Sequence, residues 1–82
     1  MDKTLTFELS KKHDQLFVIG DSKGLRFLAA KLNSLADGLD CGKLDHEHLM
    51  TKEWAGNELN SIPQGKDTEI LNQVTIYARQ NA

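Results

Sequence analysis

The sequence predicts a small α+β protein in which three to four mostly antiparallel strands pack on one amphipathic helix, in the order β-β-α-β-β. Three observations predict this class: two neighbouring segments patterned as strands, one long helical stripe of apolar residues, and a closing segment rich in β-forming residues. A chain of 82 residues is long enough for one domain, which we expect to span residues 1–82.

The first two strands are predicted from their patterns of apolar side chains. Residues 4–9 alternate between polar and apolar, which is typical of a half-buried strand. Residues 15–19 follow a polar turn and are apolar on both faces, which predicts that both faces of the second strand are covered. Because one helix covers only one face of a sheet, we expect the other face to be shielded by the 51–67 segment, a second copy of the chain or a partner.

A helix is predicted to begin at Asp21 or Ser22, since either side chain can accept hydrogen bonds from the first helical turn. Gly38 is predicted to end the helix, because glycine readily takes the left-handed conformation that closes one. Between these points, apolar residues recur at helical spacing. They are Leu25, Leu28, Ala29, Leu32, Leu35, Ala36 and Leu39.

The second half of the chain predicts two further strands. Residues 45–50 are read as a short strand, on which Glu47 shares a face with the apolar Leu49. Residues 70–78 alternate as on a strand, with a break at Asn72, and also fit a helix. The β-forming residues 74–77 favour the strand.

Composition and charge exclude several classes of function. Ten basic and twelve acidic residues give a net charge of −2, so nucleic-acid binding is not expected. No run approaches the length of a membrane helix, and residues 1–4 contain no apolar signal stretch, so no membrane association is expected. The single cysteine, Cys41, cannot form an internal disulfide, which favours a cytoplasmic location.

Acidic residues concentrate in residues 37–58, where six acidic and two basic side chains give a net charge of −4. This segment is predicted to complement a basic surface on a partner protein, although an ordinary solvated face has the same composition. Trp54 is read either as a binding residue or as an anchor that fixes the loop on the sheet. The candidate partner-binding residues are Asp40, Asp45, His46, His48, Glu53 and Trp54.

The pair His46 and His48 also suggests an alternative function as a small metal-binding protein or metal-dependent enzyme. Two imidazoles on one strand face can coordinate a metal ion, but a zinc site needs a third protein ligand. His13, Cys41 and Asp45 are possible third ligands, and none lies in a recognisable ligand motif. We therefore expect no metal site, no cofactor and no catalytic residue.

Three motifs in order carry a resemblance to a known family. They are Gly20-Asp21-x-x-Gly24-Leu25-x-x-Leu28-Ala29-x-x-Leu32-x-x-Leu35-Ala36, His46-x-His48-Leu49 and Trp54-x-Gly56-x-x-Leu59. With the closing β-rich segment, they resemble the immunity protein 32 family of bacterial polymorphic toxin systems. The resemblance implies a small α+β protein that binds and neutralises a cognate toxin, and it makes His46, His48, Leu49, Trp54 and Gly56 family-like positions. A homodimeric structural or regulatory module is a further alternative.

Overall fold

A computed structural model describes residues 2–80, and Met1, Asn81 and Ala82 lie outside the described residues. The α+β class is confirmed: one helix accompanies two small antiparallel sheets. The chain order is β-β-α-β-β-β, so the closing segment holds two short strands where one was expected. The elements are β1 (Leu5–Ser10), β2 (Leu16–Gly20), α1 (Ser22–Asp40), β3 (His46–Met50), β4 (Thr68–Ile70) and β5 (Gln73–Tyr77).

The strands divide between two sheets because the closing segment changes partner in its middle. β1 lies at the centre of a three-stranded sheet with the order β2-β1-β4, and β3 pairs with β5. The N–H of Leu71 donates to the carbonyl of Phe7 on β1, whereas the carbonyl of the next residue, Asn72, accepts from Thr51 just after β3. The break that the sequence shows at Asn72 is therefore the point where the segment leaves one sheet for the other.

The start of α1 is fixed by a close approach to the chain before β1. The Asp21 carboxylate accepts hydrogen bonds from the N–H groups of Gly24 and Thr4, which confirms one of the two predicted caps. A β-carbon on Gly24 would overlap the carbonyl oxygen of Thr4. Only glycine therefore allows the first helical turn to lie this close to the neighbouring backbone.

The end of α1 lies beyond the predicted position. Gly38 stays helical, and the helix continues to Asp40, so the expectation that it ends at Gly38 was wrong. The left-handed residue is Gly42, with φ of 83°, which follows the C-cap at Cys41. Within residues 2–80, no helix combines the length and apolarity needed to cross a membrane.

The core lies between the helix and the inner faces of both sheets. Leu5 and Phe7 on β1 pack with Leu49 on β3 and with Leu59, and Phe27, Leu28, Leu71, Val74 and Ile76 surround them. The face of α1 that packs against the core differs in part from the apolar stripe predicted from the sequence. Phe27 packs inward between the ammonium groups of Lys3 and Lys31, whereas Leu25 and Leu32 are exposed.

The opposite face of β1 is covered by a loop of the 51–67 segment, which is one of the three shields expected for it. The side chain of Glu8 is fully buried, and its carboxylate accepts hydrogen bonds from the N–H groups of Gln64 and Gly65 and from the hydroxyls of Thr6 and Thr68. Burial alone would raise the pKa of Glu8, but these four hydrogen bonds outweigh it and lower the pKa to about 2.

Candidate functional site

The outward face of the β3–β5 ladder carries both candidate histidines. Side chains alternate along β3, so Leu49 points into the core while His46 and His48 are exposed on the other side. Glu47 shares the inward side with Leu49, where its carboxylate lies 3.6 Å from the Lys31 ammonium on α1. The ion pair accounts for an acidic residue on the face that packs toward the helix.

Three rings form a cluster at one end of this face. The ring of His46 packs edge-on against that of His48, with centroids 4.7 Å apart, and lies tilted beside the ring of Tyr77 at 5.2 Å. Tyr77 is the direct cross-strand neighbour of His46 and is 70% exposed. We call five outward-facing side chains of this ladder, of which Thr75 is only partly exposed, the histidine face. It consists of His46, His48, Gln73, Thr75 and Tyr77.

Hydrogen bonds fix the ring of His48. Its Nδ1 lies 3.0 Å from Nε2 of Gln73 and 3.1 Å from the hydroxyl of Thr75. Both partners belong to β5, so these contacts hold the imidazole of His48 against the neighbouring strand on an exposed face.

A shallow cavity of about 330 Å³ adjoins the cluster, and exposed Leu44 and Arg79 contribute to its walls beside His46 and Tyr77. Asp45 borders the same cavity, but its carboxylate accepts from the N–H of His46 at 2.7 Å and so fixes the start of β3. The cavity thus combines apolar and aromatic walls with one carboxylate and one guanidinium.

The six candidate residues fall into two groups. Asp40 is the last residue of α1. The side chain of Gln80, which follows β5, donates to the carbonyl of Leu39 in the same helix end, so Asp40 lies near the end of β5. Asp45, His46 and His48 belong to this end. Glu53 and Trp54 lie in a 3₁₀ turn beyond the opposite end of β3. The structure therefore places Trp54 apart from the histidines.

The residue Trp54 is 54% exposed and lies outside the buried core cluster. The loop is held instead by its backbone, in which the N–H groups of Trp54 and Gly56 both donate to the carbonyl of Thr51. The hydroxyl of Ser61, together with backbone N–H, lowers the pKa of Glu53 below its ordinary value, so this carboxylate stays ionised near neutral pH.

Among the described residues, no further ligand supports the alternative function as a metal-binding protein. In the part of the chain that the structure describes, no three His, Cys, Asp or Glu side chains form a group that could hold a metal ion. Cys41 is free and exposed, and the imidazole of His13 lies 3.0 Å from the carboxylate of Glu69 on β4.

The structure also separates the motif positions into two kinds. Gly24 and Asp21 fix the helix start, Leu49 and Leu59 are core residues, and a β-carbon on Gly56 would lie 2.6 Å from the Met50 carbonyl oxygen. These positions build the fold. Among the family-like positions of the second and third motifs, the exposed residues are His46, His48 and Trp54.

Tyr77, Leu44 and Arg79 belong to the site but were not predicted from the sequence. The alternation in residues 70–78 contained a signal for Tyr77, since it placed Ile76 inward and its neighbour outward. The pairing of Tyr77 with His46 depends on strand register, which the alternation alone does not give.

Comparison with known proteins then supplies a family. The family model described as Immunity protein 32 matches residues 15–72, which is most of the chain. No curated protein and no solved structure matches the chain.

Proposed function

The chain belongs to the immunity protein 32 family, and from this premise we propose that it binds a cognate bacterial toxin domain stoichiometrically and neutralises it. The family match is the observation that carries the proposal. We further propose a cytoplasmic protein that acts as one domain over residues 1–82, by binding and not by catalysis. The exposed histidine face gives such a protein a surface with which to bind.

The proposed contact surface is the histidine face with the acidic side chains at its end, Asp40 and Asp45. Clustered aromatic and imidazole rings provide a large contact area at low entropic cost, which is typical of residues that dominate binding energy. The net negative charge of the surrounding segment favours a basic toxin surface and accelerates association with it. Trp54 and Glu53 form a second, separate contact region in this proposal.

The first test is the identity of the gene next to the one that encodes this chain. A neighbouring gene for a protein with a toxic C-terminal domain supplies the partner for co-purification and for rescue of growth. We expect a one-to-one complex and full rescue by the unaltered chain. Absence of both binding and rescue with that domain would count against the proposed function.

The second test addresses the surface. The double variant His46→Ala, His48→Ala removes two rings from positions that the core does not use, so the variant should fold and bind the toxin more weakly. His13→Ala is the matched control, because His13 is also exposed but lies in the β1–β2 turn and contacts Glu69. Toxin affinity unchanged in the double variant refutes the assignment of the histidine face.

A further inference from the structure

One side of α1 carries an exposed line of apolar residues, next to the side that packs on the core. Its members follow one another at steps of four, three and four residues, which is the spacing of the contact residues in a pair of packed helices. We call this line the α1 stripe, and it consists of Leu25, Ala29, Leu32 and Ala36. All four residues are exposed, Leu25 by 47% and Leu32 by 44%. The helix therefore presents a second apolar surface besides the one that it buries.

The α1 stripe is complementary in size to a reversed copy of itself. Leucine and alanine alternate along it, so a second α1 that runs in the opposite direction places Leu25 opposite Ala36. The same alignment places Leu32 opposite Ala29. A large side chain facing a small one fills the space between two helices without overlap. In a parallel pair, leucine would face leucine and alanine would face alanine, which leaves gaps at the alanine layers.

Two charged residues flank the α1 stripe on its solvent side, and they are complementary in the same alignment. Arg26 follows Leu25, Asp37 follows Ala36, and both charged residues are exposed. Residues 11 apart differ by only about 20° around a helix and lie about 16 Å apart along it, so the two charges flank the same side of the stripe. An antiparallel second copy brings Arg26 of each chain beside Asp37 of the other. A parallel copy would instead bring like charges together.

The remaining charges in the first two thirds of α1 do not alter this pattern. The carboxylate of Asp21 caps the helix by accepting from two backbone N–H groups. Lys23 lies close enough to Asp21 to act on its charge, and it is about 200° around the helix from Leu25. Lys31 is on the core side, 3.6 Å from the carboxylate of Glu47.

The charges of α1 also run against its own dipole. The first turn contains no acidic residue and the last turn no basic one, whereas Asp37 and Asp40 occupy the last turn. Acidic side chains are unfavourable at this end, where the partial charge of the helix is negative. An antiparallel neighbour offsets the cost, because it places a positive helix N-terminus beside the acidic turn.

We propose that the α1 stripe is the contact surface of a homodimer, in which α1 of a second copy packs antiparallel about a two-fold axis. The complementarity in size and the pairing of Arg26 with Asp37 are both contained within this one chain, which selects a second copy as the occupant. The histidine face points away from α1, since Glu47 on the inward side of β3 contacts Lys31. Each copy therefore keeps its histidine face open, and a complex with toxin contains two copies of each protein.

Sedimentation of the unaltered protein over a series of concentrations tests the dimer directly. A contact of one helix from each copy is small for a protein interface, so we expect mainly monomer at about 1 μM and mainly dimer at about 1 mM. A protein that stays monomeric throughout this range overturns the proposal.

The variant Leu32→Glu tests the α1 stripe. It places a charge opposite Ala29 of the partner and should raise the dissociation constant of the dimer at least about tenfold. Leu32 is 44% exposed in the single chain, so the variant should fold. Ser34→Glu is the matched control, because it adds the same charge at an exposed position about 200° around the helix from Leu32. Equal effects of the two variants overturn the assignment of the stripe.

Exchange of the flanking charges tests the antiparallel arrangement. Arg26→Asp alone and Asp37→Arg alone each place like charges together in a homodimer, whereas a mixture of the two variants restores both opposite-charge pairs. We expect each variant alone to dimerise about threefold to tenfold more weakly, and the mixture to form a heterodimer. Asp37→Arg also removes an acidic residue from the last turn, so the thermal stability of the monomer should not fall. A mixture that dimerises no better than its components overturns the arrangement.

The toxin is the competing occupant, and its binding to Leu32→Glu distinguishes the two. Toxin affinity should be unchanged in this variant, because the histidine face is intact. A monomeric unaltered protein together with weaker toxin binding by Leu32→Glu would assign the stripe to the toxin and overturn the dimer. An unaltered protein that dimerises but does not bind the toxin would overturn the proposed function and leave the dimer in place.

Discussion

The backbone N–H of Gly65 donates to the carboxylate of Glu8 at 3.1 Å, across 57 residues of sequence. Together with the neighbouring bond from Gln64, this contact holds the loop before β4 against the central strand of the three-stranded sheet. A buried carboxylate is stable only when its oxygens are well supplied with donors, and Glu8 has four. The loop and the carboxylate therefore depend on each other.

Replacing Glu8 by Gln should destabilise the protein. The amide nitrogen of Gln is a donor, so at least one N–H or hydroxyl that now donates to Glu8 would lose its acceptor inside the protein. We expect the free energy of unfolding in urea to fall by about 1–3 kcal/mol. Glu69→Gln, at an exposed position on β4, should change it by less than about 0.5 kcal/mol. Equal effects of the two substitutions would contradict this account.

The lowered pKa of Glu8 also predicts how stability depends on pH. The folded carboxyl has a pKa of about 2, against 4.5 for the ordinary group. As the pH falls below 4.5, the unfolded chain binds a proton that the folded protein does not, so the free energy of unfolding decreases until about pH 2. Thermal unfolding across this range should show a steeper decrease for the unaltered protein than for Glu8→Gln. Parallel curves would rule out Glu8 as the source.

Gly24 and Gly38 should respond in opposite ways to alanine. At Gly24, the new β-carbon would overlap the Thr4 carbonyl oxygen, so the helix start must shift, at a cost of about 1–3 kcal/mol. At Gly38, the new β-carbon would make only ordinary contact, 3.7 Å from Cβ of Lys43. Alanine there should stabilise the helix by about 0.5–1 kcal/mol. Thermal unfolding of the two variants measures both effects, and a stabilising Gly24→Ala would show that this close approach is absent.

Trp54→Ala should reduce the free energy of unfolding by less than about 1 kcal/mol, because the ring is 54% exposed and the loop is held by its backbone. Urea unfolding and toxin affinity should be measured on the same preparation. Weaker toxin binding with nearly unchanged stability would assign Trp54 to the second contact region. A large loss of stability would instead favour the anchoring role for this residue.

The sequence predicted those elements that local patterns determine. The cap at Asp21 and the strand at residues 45–50 follow from local hydrogen bonding and alternation, and both appear in the structure. The helix end was placed wrongly because two glycines, Gly38 and Gly42, lie near the end of the apolar stripe, and only the structure shows that Gly42 is the one with positive φ. Propensity alone does not decide between two nearby glycines.

Long-range contacts account for what the sequence did not reveal. Glu8 occupies the polar side of an alternating strand, and its burial depends on a loop about sixty residues away. The candidate site was predicted in part: His46 and His48 do share an exposed face, but Trp54 lies beyond the other end of β3. Tyr77 joins the histidines only through the register of two strands that are distant in sequence.

The change of partner at Leu71 and Asn72 has a consequence for how the protein is made. A nascent chain that has emerged only to residue 67 contains β1 without its second neighbour and β3 without any, so neither sheet can close. The histidine face is also incomplete at that stage, because Tyr77, Thr75 and Gln73 are still to come. Both sheets, and the face that carries the two histidines, can therefore form only after residues 68–77 have left the ribosome.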